Sequence, residues 1–218
     1  MPDLFGREED QTRAKGRFPV QEKAASQVKQ LTLSADKVSI RRASMSETEW
    51  RSWIRKNVQA ATSLLWVIEK ALACAPRPLR YHAKFGGRVP LIPSEAASAL
   101  SEWLDSLKSR GIGTIVCLAT PGEMKRYSLV VSPQPDLLSL YRSSGFAVYP
   151  HPIEDPVHAS ASERAGILEQ IEALKPTILS EYRGRSGAML IHCSGGMDRS
   201  APIAAFVASQ SVGSGRLL

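Results

Sequence analysis

A loop that contains two adjacent glycines, between a strand-like and a helix-like apolar run, constrains this chain most. It contains a cysteine, five intervening residues and an arginine, within Ile191-His192-Cys193-Ser194-Gly195-Gly196-Met197-Asp198-Arg199-Ser200. The apolar segment 188–191 is typical of a strand, and Ser200-Ala201-Pro202 is typical of a helix start. The spacing therefore predicts a strand, a ring-shaped loop and a helix in direct succession.

The residue types of this loop are suited to holding a phosphate dianion. Five intervening residues can wrap the backbone so that its N–H groups point inward at a helix N-terminus. We expect the glycine pair to supply positive φ where the ring needs it. The predicted phosphate-binding residues are Ser194, Gly195, Gly196, Met197, Asp198 and Arg199. The planar guanidinium of Arg199 can bind two phosphate oxygens at once.

Three further roles follow from the same surroundings. A helix N-terminus, several amides and a guanidinium favour a thiolate over a thiol, so we expect Cys193 to be a nucleophile. Ser200 is placed to hydrogen-bond the sulfur and to ease its departure from phosphorus. We expect His192 to orient the loop through backbone hydrogen bonds.

A cysteine and an arginine at this spacing also occur by chance, in about one such sequence in four. Cys74 and Arg80 have the same spacing, but the segment 75–79 holds two prolines, which cannot donate an amide, and no glycine. That second copy therefore cannot build an anion-binding ring. Only the segment around Cys193 combines strand, glycine pair and helix start in the required order.

The chain resembles the cysteine-dependent protein tyrosine phosphatases, and within them the compact dual-specificity branch. The resemblance extends from about Pro76 to the C-terminus. Its strongest segments are Gly111-Ile112-Gly113-Thr114-Ile115-Val116-Cys117-Leu118, His151-Pro152-Ile153-Glu154-Asp155 and the Cys193 loop. It implies metal-independent hydrolysis of phosphotyrosine and phosphoserine or phosphothreonine in proteins, through a phosphocysteine intermediate. No cofactor and no metal ion are implied.

Hydrolysis of a phosphoester also needs a proton donor for the leaving oxygen. The segment 151–155 follows a predicted strand at 146–150, and functional loops of open α/β sheets lie beyond the carboxyl ends of the strands. The resemblance assigns Asp155 as the general acid, because it matches the aspartate of the family's Pro-Ile-x-Asp segment. The alternative is a turn residue before Pro156. Glu123, Lys125 and Arg126, in an earlier loop, are candidates to line the mouth of the site, but we favour solvated surface charges.

The order of apolar patterns predicts an α/β fold with a mainly parallel central sheet flanked by helices. We divide the chain into a flexible basic arm at 1–45, an added amphipathic helix at 46–75 and a catalytic domain at 76–218. Short strands are predicted at 79–82 and 89–92. The catalytic domain is short at its C-terminus relative to the resembled family. Either the chain is truncated, or the added helix completes its core.

Composition agrees with a globular enzyme and leaves the partner open. The chain has 218 residues, a formal net charge of +7 and three cysteines, and no apolar run approaches the length of a membrane span. Without a leader-like start, we expect a reducing cytoplasm. The expected partner is a phosphorylated protein, with a phosphoinositide or an RNA end as alternatives. The loop lacks the lysine typical of phosphoinositide-directed relatives.

Two other functions compete with the phosphatase hypothesis. A phosphate-binding module without turnover would keep the same loop. A rhodanese-like sulfur carrier also mounts a cysteine on an anion-binding loop, but the separate Asp155 segment and the Arg199-Ser200 ending disfavour it. The sequence does not indicate an oligomeric state.

Overall fold

The fold is that of a computed structural model in which residues 45–58 and 64–212 are described. The predicted basic arm, apart from its last residue, lies outside the described residues, and so does segment 213–218. The helices are α1 (Glu47–Val58), α2 (Ala97–Ser109), α3 (Pro121–Met124), α4 (Leu137–Ser143), α5 (Ala161–Arg183) and α6 (Ser200–Val212). The strands are β1 (Leu65–Ile68), β2 (Leu72–Ala75), β3 (Ile112–Cys117), β4 (Ala147–Pro150) and β5 (Ala188–His192).

The five strands form one sheet in the order β1-β2-β5-β3-β4. β5 pairs in parallel with β2 and β3, and β3 pairs in parallel with β4. Only β1 runs antiparallel, against β2. The predicted mainly parallel α/β sheet is therefore confirmed.

Apolar side chains cover both faces of this sheet. On one face α1, α5 and α6 pack over buried side chains such as Val116, Met189 and Ile191. On the other face α2 and α4 pack over neighbours such as Ile115 and Leu190. Successive residues of a strand point to opposite faces, so a parallel strand covered on both sides is buried throughout, as β5 is.

The strand register brings the functional loops to one edge of the sheet. His192, the last residue of β5, lies opposite Ala75 of β2 and Cys117 of β3, and Cys117 lies opposite Pro150 of β4. The chain leaves all four strands at this edge. The loops that begin after residues 75, 117, 150 and 192 are therefore neighbours.

The prediction of one long helix through residues 46–75 is wrong in its second half. α1 ends at Val58, and the apolar residues that follow form β1 and β2, with Lys70 at positive φ in the turn between them. A short apolar run fits helical and strand periodicity alike, and Leu65-Trp66-Val67-Ile68 is rich in β-branched and aromatic side chains. The segment thus supplies two strands of the central sheet.

The strands predicted at 79–82 and 89–92 are also wrong, because these residues form turns and bends. These residues join no strand ladder, and several of their backbone groups bond within the segment itself. Arg80 N donates to Arg77 O at 3.1 Å, and Gly87 N donates to Arg80 O at 2.9 Å. The segment folds as a compact loop beside the carboxyl edge of the sheet.

The first helix completes the core beside the last helix. α1 packs against α6, and its Trp50, Ile54 and Val58 are almost fully buried with the apolar residues of α5 and α6. Lys175 of α5 adds an ion pair to Glu47 of α1 at 2.5 Å. None of the helices in the described residues combines the length and the apolar character needed to cross a membrane.

Candidate active site

Cys193 lies at the base of a tight backbone ring between β5 and α6. Its side chain is 1% exposed, and its Sγ accepts a hydrogen bond from Gly196 N at 3.2 Å. The carbonyl of Gly196 accepts a hydrogen bond from the thiol of Cys74, a residue of β2, at 3.3 Å. The loop thus bends back on the sulfur, as an anion-binding ring requires.

Only one of the two loop glycines has the conformation expected of the pair. Gly196 has a φ of 76°, and a Cβ there would lie 2.9 Å from the backbone of Ala75 and Pro76. Gly195 is not among the residues with positive φ, and a Cβ there would meet only the end of Met197, at 3.5 Å. The prediction of positive φ is therefore confirmed for Gly196 and wrong for Gly195.

Arg199 is fully buried at the start of α6 and is held by several acceptors. Its Nη1 donates to the carbonyls of Leu118 and Ile153, at 3.3 and 2.9 Å. Its Nη1 and Nη2 also donate to the two oxygens of Glu123, at 2.6 and 2.8 Å. Nε is buried without a hydrogen-bond partner among the described residues. Burial alone would lower the pKa of Arg199, but Glu123 raises it, with further contributions from Cys193 and Asp155. The guanidinium of Arg199 therefore stays positively charged.

Glu123 is a site residue, although the sequence favoured a solvated surface charge over a residue at the mouth of the site. It belongs to a capping box at the start of α3, where Glu123 N donates to Thr120 Oγ1 at 3.2 Å and Thr120 N donates to Glu123 Oε2 at 2.9 Å. Burial disfavours its ionised form, yet the hydrogen bonds and charge of Arg199 lower the pKa of Glu123. The capping box just after a parallel strand was the available signal in the sequence.

Asp155 lies beside the same guanidinium. Its Oδ2 accepts a hydrogen bond from Arg199 Nη2 at 3.2 Å, and its Oδ1 accepts one from Val157 N at 3.1 Å. The segment before it extends the sheet, because Ile153 N donates to Leu118 O at 3.2 Å. The structure therefore brings Asp155 to the Cys193 loop, at the edge of the sheet that the strand order predicts.

His192 and Ser200 flank the loop and are both fully buried. His192 Nε2 lies 3.3 Å from the hydroxyl of Tyr141 on α4. Burial, reinforced by the positive charge of Arg199, lowers the pKa of His192 to about 4, so its ring is neutral at pH 7. Ser200 Oγ has no hydrogen-bond partner in the described part of the chain, Cys193 included.

Asp198 connects the loop with the first helix. It forms an ion pair with Arg55 of α1 at 3.0 Å, between Arg55 Nη2 and Asp198 Oδ1. The aspartate side chain is 19% exposed and the arginine side chain 45% exposed. The side chain of Asp198 therefore points to α1, while the backbone of Asp198 is part of the ring.

A cavity of about 380 Å³ opens over the ring. Its lining residues are Arg80, Arg88, Glu123, Arg126, Asp155, Val157, His158, Cys193, Ser194, Gly195, Met197 and Asp198. The thiol of Cys193, the carboxyl group of Asp155 and the backbone of the ring thus meet in one cavity. The described residues hold no group of three or more His, Cys, Asp and Glu side chains placed to bind a metal ion.

A sequence model of the family described as cyclin-dependent kinase inhibitor 3 (CDKN3) matches residues 96–212, which is more than half of the chain. The chain belongs to the cyclin-dependent kinase inhibitor 3 family. Membership confirms the resemblance to the dual-specificity branch of the cysteine-dependent phosphatases. The matched region includes Glu123, Asp155 and the whole Cys193 loop.

Curated members of the CDKN3 family align over less than half of their own length. The human cyclin-dependent kinase inhibitor 3 is 36% identical over 101 residues, which are 46% of this chain and 42% of the human protein. The pig and rat proteins are each 34% identical over the same shares. A crystal structure of kinase associated phosphatase with a serine at its catalytic-site cysteine covers 51% of this chain and 57% of its own, with a TM-score of 0.37 and 23% identity.

Proposed function

We propose that this chain is a metal-independent phosphatase that hydrolyses phosphomonoesters on proteins through a phosphocysteine at Cys193. The observation that carries the proposal is the meeting of Cys193 and Asp155 in one cavity, with Asp155 3.2 Å from the buried Arg199. A nucleophile, an oxyanion-binding guanidinium and a proton donor are the groups that the reaction needs.

In the first step, the thiolate of Cys193 attacks phosphorus and the P–O bond to the leaving group breaks. The loop amides and Arg199, including its unused Nε donor, bind the phosphoryl oxygens as their charge shifts. Asp155 gives its proton to the departing oxygen. A phosphate that takes Arg199 Nη2 as a donor also displaces Asp155 from it, which leaves the carboxyl group free to act on the leaving oxygen.

In the second step, the carboxylate of Asp155 takes a proton from a water molecule that attacks the phosphocysteine. The S–P bond breaks, inorganic phosphate leaves and Cys193 returns to the thiolate. Ser200 is the residue proposed to hydrogen-bond the departing sulfur, since it begins α6 directly after the ring. His192, the residue before the ring, is proposed to position the ring through its buried neutral imidazole.

The proposed substrate is a phosphorylated protein, at phosphotyrosine, phosphoserine or phosphothreonine. The curated relatives are named as inhibitors of cyclin-dependent kinases, and on that ground we propose a phosphorylated kinase as partner, in the cytoplasm. A phosphoinositide or an RNA 5′ phosphate would need the same loop and remains the alternative substrate class.

The proposal is tested by turnover of p-nitrophenyl phosphate in chelator and reductant. We expect activity in the wild-type protein, none in Cys193→Ser, and a loss of about 10²- to 10⁴-fold in Asp155→Asn on poor leaving groups. Asp105→Asn, which changes an exposed carboxylate of α2, is the matched control. Binding of vanadate by a folded wild-type protein that has no turnover would indicate the phosphate-binding module instead.

A further inference from the structure

Three arginines line the same cavity as Cys193 without being needed for a single phosphoryl group. Arg80 and Arg88 come from the compact loop after β2, and Arg126 follows α3. The ring amides and Arg199 already supply the donors for one phosphate. The additional positive charge of these three arginines is therefore available to bind a second anionic group.

No carboxylate in the described part of the chain forms an ion pair with these three arginines. Glu123 and Asp155 are paired with Arg199, and Asp198 is paired with Arg55. The local concentration of positive charge also affects ionisation. Burial lowers the pKa of Arg126, and the charges of Arg77 and Arg80 lower it further, although Glu123 and Tyr127 act in the opposite direction.

Two of the three arginines are held in place by backbone carbonyls. Arg80 Nη1 donates to Gly87 O at 2.7 Å, and Arg80 Nε is buried without a hydrogen-bond partner in the described residues. Arg126 donates from Nε to Glu123 O at 2.8 Å and from Nη1 to Val89 O at 3.2 Å. A guanidinium fixed before binding loses less conformational entropy when it meets an anion.

The part of the site around Asp155 is acidic, and we call it the acidic wall. A second cavity of about 590 Å³ shares Glu123, Asp155 and His158 with the first, and it adds Glu154 and Glu163. Like charges repel, so an anionic group beside the phosphoryl group is disfavoured on this wall and favoured on the arginine wall.

We propose that Arg80, Arg88 and Arg126 form a second anion subsite, which binds a phosphate or carboxylate group elsewhere on the same phosphorylated peptide. This inference rests on the proposed function for the choice of a phosphopeptide. It makes the arginine wall a determinant of substrate specificity. Substrates with a second phosphate near the reacting one bind best, and glutamate in that position is the weaker form of the same interaction.

The test measures peptide binding to the Cys193→Ser protein, so that it does not depend on turnover. Fluorescent peptides of one sequence carry a phosphothreonine and, at a fixed neighbouring position on either side, phosphoserine, glutamate or glutamine. We expect the second phosphate on one side to tighten the dissociation constant by about tenfold or more over glutamine. Arg88 is exposed, so Arg88→Gln should leave the fold intact. In this variant, the gain in affinity from the second phosphate should fall to about twofold. Arg110→Gln, which changes an exposed arginine after α2, is the matched control.

Three results would overturn the inference. One is equal affinity for all three peptides on both sides; another is an equal loss for every peptide in Arg88→Gln. An RNA 5′ phosphate or a soluble phosphoinositide that displaces the doubly phosphorylated peptide at lower concentration would also overturn it. The proposed function fails separately, when wild-type protein does not hydrolyse p-nitrophenyl phosphate while the peptide preference persists.

Discussion

At the scale of single residues, the two loop glycines give a direct test of the ring geometry. Gly196→Ala places a Cβ 2.9 Å from the backbone of Ala75 and Pro76 and forces a positive φ on alanine. Gly195→Ala adds a methyl group with only ordinary contacts. We expect kcat/KM for p-nitrophenyl phosphate to fall by about a hundredfold in Gly196→Ala and by less than about threefold in Gly195→Ala. Equal effects in the two variants would contradict the ring described here.

Glu123 is expected to act as a positioning residue for Arg199. Glu123→Gln keeps a side chain of the same shape but removes the charge that holds both Nη atoms. We expect kcat/KM to fall by about tenfold or more, and inhibition by vanadate to weaken by a similar factor, because the guanidinium is less well oriented.

The matched control for this variant is Glu102→Gln, an exposed carboxylate on α2. A purely structural role of Glu123 would lower the melting temperature without changing vanadate affinity. Unchanged vanadate affinity in a folded Glu123→Gln protein would therefore refute positioning.

The sequence predicts the positions of Cys193 and Arg199 from the spacing of one loop, and that of Asp155 from the resemblance to the phosphatase family. It did not locate Glu123 as a partner of Arg199, since 76 residues separate the two. Only the sheet register brings α3 beside the Cys193 loop. A local pattern predicts the conformation of a loop, while the partner of a buried charge depends on the tertiary fold.

At the scale of elements, α1 is predicted to be part of the folding unit. Trp50 is 1% exposed and packs with the core shared by α5 and α6, whereas Trp53, one turn away, is only partly buried. We expect Trp50→Ala to reduce the free energy of unfolding by about 3 to 5 kcal/mol, and Trp53→Ala to reduce it by less than half as much. Urea denaturation measures both values. A small effect at Trp50 would show that α1 is not docked on the core.

Within residues 46–75, the start of the helix was predictable from the sequence, but its end was not. The capping residues and tryptophan spacing predicted the start of α1, and Ser46 and Glu49 form the expected reciprocal hydrogen bonds, at 2.8 and 3.3 Å. The end of the helix was not predictable in the same way. β1 pairs with β2, and β2 pairs with β5, so the sheet position of this short hairpin depends on a strand that is distant in the sequence.

At the scale of the whole molecule, the buried neutral His192 links folding stability to pH. The unfolded state binds a proton near the ordinary pKa of histidine, while the folded state does so only near pH 4. The stability due to this group is therefore present above about pH 6.5 and is lost as the pH falls towards 4. We expect the free energy of unfolding to fall by about 2 kcal/mol more between pH 7 and pH 5 in wild type than in His192→Gln.

Urea titrations at the two pH values measure this difference, and the fluorescence of α1 tryptophans reports unfolding. Parallel curves for the two proteins would indicate that His192 titrates normally in the folded state. His82→Gln, at an exposed position in the compact loop after β2, is the histidine control.

The overall topology was predictable because it follows from few rules. Apolar runs that alternate with amphipathic helices imply parallel strands, and parallel strands place their following loops at one edge. From sequence alone, these rules predict that residues 151–155 and the Cys193 loop are neighbours. They carry no information about the charge of the cavity walls, which depends on how the turns at 76–92 fold.

The most direct test of the central claim is to trap the phosphocysteine. Asp155→Asn protein is mixed with p-nitrophenyl phosphate, quenched in acid within the first turnover, and its peptide masses are measured. The account predicts that one phosphoryl group appears on the peptide that contains Cys193 and disappears as the substrate is exhausted. Release of p-nitrophenol in the first turnover without any phosphorylated peptide, or with the phosphoryl group on a residue other than Cys193, would contradict it.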